Sequence, residues 1–188
     1  MMLSEYDKCV LIRLALKGIT ENLTQDKPAD PPGIRITEPL NIRCGVFVSL
    51  YVRNDLRGCI GTFSEQDPLH RSVRRMAVSA ATTDSRFLPL RAGELDDLKI
   101  EISVLTPRVR ISGPDEIELG KHGIYIQQGL NRGTFLPQVA VNQNWNVEQF
   151  LGNCAKYKAG IGWNGWKHAD LYTFEAIVFN SAEISPDC

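Results

Sequence analysis

The sequence contains few of the patterns that usually announce a chemistry. No apolar run approaches the ~20 residues of a membrane span, so no segment is expected to enter a bilayer. Met1-Met2-Leu3-Ser4-Glu5 has neither the basic region nor the apolar stretch of a secretory signal. Histidine occurs only three times. There is no C-x-x-C, no H-E-x-x-H and no close histidine pair, so a metal centre is not expected. A P-loop, a dinucleotide glycine fingerprint and a G-x-S-x-G elbow are also missing, so no cofactor is expected. The five cysteines, Cys9, Cys44, Cys59, Cys154 and Cys188, are scattered and odd in number. That pattern suits a reducing cytoplasm better than a disulfide scaffold.

Charge of one sign is missing too. Lysine plus arginine number 21 and aspartate plus glutamate 22, a net charge of −1. A protein that binds nucleic acid over a whole face needs a basic excess, so that function is disfavoured and only a local basic patch remains open. What is present is ordinary globular material: 43% hydrophobic and 23% charged residues in 188 positions. A chain of this length buries roughly 70% of its unfolded surface, enough for one domain of two lobes.

Periodicity places the elements. Ser4 to Lys17 reads as an amphipathic helix with Ser4 as N-cap and Gly18 as stop. Residues 19–40, with Pro28, Pro31, Pro32, Gly33 and Pro39, read as an irregular proline-rich arm. Gly45–Val52 and Leu56–Phe63 flank Arg53-Asn54-Asp55 as a β-hairpin. Asp67-Pro68 opens a helix whose apolar stripe is Leu69, Val73, Met76, Ala77 and Ala80, with Arg71, Arg74 and Arg75 on its other side. Leu98–Leu105 alternates as a half-buried strand, and Glu116–Leu119, Ile124–Gln128 and Thr134–Leu136 read as short strands. Asn146 with Gln149 forms a capping-box pattern for a helix that ends near Gly160, and Leu171–Phe179 reads as a final strand. Hairpins outnumber crossovers, so an α+β fold with a mainly antiparallel sheet flanked by helices is expected.

The most informative stretch is Leu56-Arg57-Gly58-Cys59-Ile60-Gly61-Thr62-Phe63. Two glycines inside a strand need a reason, such as a bulge or a close approach by a ligand or a backbone. Strand alternation puts Arg57 and Cys59 on one face, where the guanidinium could stabilise a thiolate. The alternative is that Cys59 is a small buried hydrophobe and that Gly58 and Gly61 serve packing.

This octapeptide resembles the signature of the AMMECR domain family. The likeness continues through Gly45–Leu50, Asp84-Ser85-Arg86-Phe87-Leu88-Pro89-Leu90, Ile100–Pro107, Gly120-Lys121-His122-Gly123-Ile124, Arg132–Ala140, and Cys154-Ala155-Lys156 with Lys158-Ala159-Gly160. These blocks cover most of the chain in one order, which implies a single AMMECR-type domain over residues 1–188. The resemblance implies no established activity. It implies an association with a Memo-like protein and a radical S-adenosylmethionine protein, whose genes lie beside or are fused to those of relatives in many prokaryotes. It also implies a glutamate shortly after Ala140, where this chain has Asn142 and Gln143. A mechanism carried by that carboxylate is therefore not expected here.

Among the blocks, His122 lies on a glycine-bounded turn and is the natural base for a pair with Cys59, or else it fixes the turn. Arg57, Arg86 and Arg132 could form a cluster that captures a small polar or anionic ligand, with Asp84 and Gln138 beside them. The alternative for Asp84 and Arg86 is a local ion pair. Three functions are open. The first is an enzyme or ligand binder built on Cys59 and His122, with Arg57, Gly58, Gly61, Asp84, Arg86, Arg132 and Gln138 contributing. The second is a non-catalytic interaction module, and the third is RNA or nucleotide binding through Arg71, Arg74, Arg75 and the tryptophans.

Overall fold

The first helix, α1, spans Glu5–Thr24 in the computed structural model, which describes residues 2–24 and 34–184. Ser4 caps it as expected: the Asp7 amide donates to Ser4 Oγ at 3.2 Å, and the Ser4 amide donates back to the Asp7 carboxylate at 2.9 Å. The helix does not stop at Gly18. An interior glycine costs about 1 kcal/mol of helix propensity, but the next residue, Ile19, is fully buried in the core, and that burial carries the helix onward. Of the arm expected over 19–40, residues 19–24 therefore belong to α1, and 25–33 lie outside the described residues. Pro39–Asn41 form a 3-10 turn.

The chain divides into two units, Met1–Val104 with Ile177–Cys188, and Leu105–Ala176. The first unit holds β1 (Val46–Val52), β2 (Asp55–Thr62), α2 (Leu69–Thr82), β3 (Leu98–Leu105) and β8 (Ala176–Asn180). Its sheet runs β2-β1-β3-β8. The β1–β2 turn is two residues, Arg53 and Asn54, with φ of 52° and 70°. Both central residues are left-handed, the type I′ geometry that matches strand twist. Val46, Val48 and Leu50 of β1 face a core completed by Val73, Met76, Ala77 and Ala80 of α2 and by Leu11, Ala15 and Ile19 of α1. Asp67 does not cap α2. Pro68 occupies the N-cap without a side-chain bond, and Asp67 pairs with Arg75 at 2.9 Å.

The second unit holds β4 (Val109–Ile111), β5 (Gly123–Gln128), β6 (Asn131–Phe135), α3 (Pro137–Asn142), α4 (Val147–Asn153) and β7 (Asp170–Phe174). Its sheet runs β4-β7-β5-β6, with Ile124, Ile126, Phe150, Leu151 and Cys154 in the core. The Asn146–Gln149 capping box is present in both directions, and α4 runs into a π-helical turn that Gly160 ends at φ 69°. Two sequence expectations fail here. Residues 116–119 form no strand: Glu116 ends a 3-10 turn that begins at Pro114, and Leu119 enters a turn. The strand expected over Leu171–Phe179 is two strands in different sheets, broken at Glu175. There the backbone is diverted to Thr106: the Glu175 amide donates to Thr106 Oγ1 at 2.8 Å, and the Thr106 amide donates to the Glu175 carbonyl at 2.9 Å. The architecture is α+β with two antiparallel sheets, as the hairpin count predicts. No described helix is long and apolar enough to cross a membrane.

Candidate functional site

Cys59 lies on β2, the edge strand of the first sheet, with its cross-strand partner Ser49 on β1. Its main chain points outward, away from β1. The Cys59 amide donates to Asp84 Oδ2 at 2.8 Å, and Arg86 Nη2 donates to the Cys59 carbonyl at 3.0 Å. Asp84 and Arg86 thus satisfy both main-chain groups of Cys59, as a neighbouring strand would, and they close the sheet edge at that point. The pair holds itself together: Arg86 Nε donates to Asp84 Oδ1 at 2.9 Å and Nη2 to Oδ2 at 2.7 Å. Asp84 is only 7% exposed, and the Arg86 guanidinium beside it, with the Cys59 and Arg86 amides, holds its carboxyl well below the usual carboxylate range. The local ion pair open in the sequence is what forms, and it has a structural purpose that the sequence did not reveal.

The glycines of the octapeptide are packing glycines. A Cβ on Gly58 would lie 2.0 Å from the Ala80 carbonyl oxygen of α2, so the helix backbone presses directly on the strand. A Cβ on Gly61 would lie 2.2 Å from the Phe47 ring, which stands across from it on β1.

Arg57 is re-aimed by a bulge. Leu50 pairs with Gly58 and Tyr51 with Leu56, so Arg57 has no partner in the ladder. Its guanidinium clasps Glu94 with two bonds of 2.8 and 3.1 Å and donates to the Leu88 carbonyl at 3.1 Å. Alternation had placed it beside the thiol. The cation in electrostatic contact with the Cys59 side chain is instead Arg86, whose own pKa is raised first by Asp84 and also by Cys59. Two of the three arginines expected to capture an anion, Arg57 and Arg86, are thus each bidentate to a carboxylate.

A row of side chains on the outer face of this sheet was not singled out by the sequence. Cys59 stands opposite Ser49, and Ser49 stands opposite Glu101 of β3. Ser49 Oγ donates to Cys59 Sγ at 3.3 Å. Such closeness follows from the outward-turned main chain of Cys59, because non-hydrogen-bonded antiparallel pairs bring side chains nearest. Tyr51, two residues along β1 on the same face, interacts with both Ser49 and Glu101; burial raises its phenol pKa, and Glu101 and Cys59 raise it further. Burial raises the Glu101 carboxyl, against Lys99 and Tyr51, which lower it. The available signal was period-two alternation in three strands, but the register between the strands is not a local property. For Glu101, a carbon-13 titration is expected to place the carboxyl above the ordinary glutamate range of about 4.3. Lys99→Met is expected to raise it further. The neutral form is the one the fold accommodates, so this group's contribution is present at low pH and is lost as pH rises through its raised folded pKa.

Among the described cysteines, Cys44, Cys59 and Cys154 are free. Cys44 and Cys154 are buried, and burial pushes their thiols up to about 11 and about 12. Cys59 alone among the free three is partly exposed. The remaining predicted site residues belong to the second unit. His122 Nδ1 accepts the Glu118 amide at 3.1 Å, and the His122 amide donates to the Glu118 carbonyl at 2.9 Å, so the ring braces its own turn. Arg132 is exposed on β6 opposite Gln127, and Gln138 lies in the first turn of α3. Among the described residues no cluster of three or more His, Cys, Asp or Glu side chains could hold a metal ion.

The AMMECR1 family model matches residues 12–179. The chain belongs to the AMMECR1 family. A protein of Methanopyrus kandleri is 41% identical over 186 residues, spanning 92% of this chain and 87% of its own length. One from Thermofilum pendens is 37% identical, spanning 94% of this chain and 91% of its own length. The crystal structure of an uncharacterized protein from Pyrococcus horikoshii superposes with a TM-score of 0.85 at 34% identity, covering 95% of this chain and 93% of that one. The AMMECR1 assignment therefore covers both sheets and the octapeptide, and it brings no established activity.

Proposed function

We propose that the outer face of the first sheet binds and reacts with a small polar molecule through Cys59. The observation that carries this reading is the in-register row Cys59–Ser49–Glu101, with Ser49 Oγ 3.3 Å from the one partly exposed free thiol among the described residues. Ser49 donates to sulfur, and the Arg86 guanidinium stands in reach of it, so both stabilise negative charge on Sγ. Arg86 Nη1 makes no hydrogen bond among the described residues and is free to meet an anionic substituent. Glu101 sits two strand spacings from Cys59, about 10 Å. It is too far to take the thiol proton directly and instead anchors the far end of the ligand, with a carboxyl that stays protonated to higher pH than usual. The chemistry that fits is addition of the thiolate to a polarised carbon: a carbon–sulfur bond forms, one π bond opens, and a proton from solvent or a ligand-facing acid neutralises the charge that develops. The reading rests on residues of the first unit alone.

The test is the alkylation rate of each cysteine across pH, read by peptide mass mapping on the native protein. Cys59 is expected to react far faster than Cys44 and Cys154, which are buried, and Ser49→Ala, which removes the hydroxyl that donates to Sγ, is expected to slow it. If Cys59 resists until the protein is denatured, the octapeptide is a packing motif and an interaction module becomes the better reading.

A further inference from the structure

A second feature of the first unit is chemically unlike the Cys59 face and independent of it. Arg71, Arg74, Arg75 and Val78 fall at i, i+3, i+4 and i+7 of α2, the spacing of one helix stripe. Across from them stand Lys17, Gly18, Glu21 and Asn22 of α1. Between the two helices runs a groove of about 640 Å³ lined by Gly18, Glu21, Asn22, Arg71, Arg74 and Arg75. It shares Arg71 and Arg74 with a smaller hollow of about 260 Å³ that Lys17 and His70 also line.

The cations along this groove are not all paired among the described residues. Lys17 and Arg74 both pair with Glu21, and Arg75 pairs with Asp67. Arg71 is exposed and has no ion pair among the described residues. Gly18 explains how the groove stays open: a Cβ there would lie 2.8 Å from Arg74 Cγ, so the glycine lets the Arg74 stem lie flat against α1. His70 adds a fixed ring, its Nδ1 donating to the Leu40 carbonyl at 3.0 Å. That bond leaves Nε2 as the nitrogen open to a ligand.

We infer that the α1–α2 groove is a binding site for a small phosphorylated molecule, held by Arg71 and Arg74 with Lys17 alongside. Guanidinium groups match phosphate oxygens in geometry and charge. The groove volume falls within the roughly 300–1,000 Å³ of small-molecule sites. A polynucleotide fits less well, because the chain as a whole carries a net charge of −1 and has no basic excess to track a long backbone.

The test is an amide NMR titration of the full chain with inorganic pyrophosphate and, separately, with ADP, at constant ionic strength set by chloride. Saturable shifts confined to α1 residues 17–22 and α2 residues 70–79 are expected. Arg71→Gln should weaken the binding at least about tenfold, as for the loss of one charge-assisted contact, while Arg71→Lys retains part of it. Lys17→Gln is the second variant and should weaken it less. Tighter binding of ADP than of pyrophosphate assigns the site to nucleotides. Equal binding assigns it to the phosphate group alone, and either result supports the inference. It is overturned if neither probe gives localised saturable shifts, if Arg71→Gln binds like the parent, or if an oligouridylate binds more tightly than ADP with a steep salt dependence.

Discussion

Gly58→Ala is expected to lower the free energy of unfolding by about 3 kcal/mol or more, the upper range for overpacking a well-filled core. The added methyl would stand 2.0 Å from the Ala80 carbonyl oxygen and 2.9 Å from its carbonyl carbon. Both are backbone atoms in the last turn of α2, so no rotamer change relieves the clash, and either β2 or α2 must move. Gly61→Ala is the control. Its methyl meets the Phe47 ring at 2.2 Å, but that ring belongs to a side chain. Phe47 packs edge-on to Phe63 at 5.5 Å and can turn away at the cost of that contact, so a smaller loss is expected. Urea unfolding followed by far-ultraviolet circular dichroism checks both. Tryptophan fluorescence is the wrong probe, because Trp145, Trp163 and Trp166 all lie in the second unit. If Gly58→Ala unfolds at the parent's midpoint, the contact of β2 with α2 is not as close as described.

Asp84→Ala is expected to cost about 3 kcal/mol and to change the reactivity of Cys59 as well. The substitution leaves the Cys59 amide without its partner and frees Arg86 from its bidentate clasp. Arg86 itself is 57% exposed along its side chain, so water takes over much of its charge, and the lost amide bond dominates the cost. Asp84→Asn separates charge from shape, since it keeps an acceptor near the amide. The pH dependence follows from the depressed pKa. The stabilisation from Asp84 is fully present above the unfolded carboxyl pKa of about 4. It is lost as pH falls from there towards the lower folded pKa, because the unfolded chain takes up the proton first. The parent should therefore lose stability on acidification below about pH 4, and Asp84→Asn should lose less over the same range. Equal acid limbs in the two proteins would mean that Asp84 is not the group held low. Alkylation of Cys59 in Asp84→Asn reports whether the edge clasp also sets the thiol's position.

Local signals in the sequence proved reliable where a few adjacent residues decide the outcome. The hairpin forms where the strand patterns flank Arg53-Asn54-Asp55, and Asp55 joins the ladder opposite Val52, which tightens the turn to the left-handed pair Arg53 and Asn54. Asn146 and Gln149 cap α4 because each side chain reaches the other's amide three positions away. The same logic failed at Gly18 and at Glu175. A glycine ends a helix only if nothing beyond it gains by staying helical, and Ile19 gains full burial. A run of alternating residues through Glu175 reads as one strand, but whether it continues depends on Thr106, which is remote in sequence and binds Glu175 through two hydrogen bonds.

The sequence alone determined the α+β class, the antiparallel hairpin that carries the octapeptide, the family, and Cys59 as the residue to watch, because each depends on short-range pattern or on ordered motifs. Only the tertiary structure decided what surrounds that residue. A bulge sent Arg57 to Glu94, the sheet edge drew Asp84 and Arg86 to the main chain of Cys59, α2 claimed the space at Gly58, and strand register set Ser49 and Glu101 in line with the thiol. Each of these contacts joins residues far apart in the chain. Their partners are fixed by which surfaces must be buried together and which main-chain groups remain unpaired, and a linear pattern does not contain those quantities.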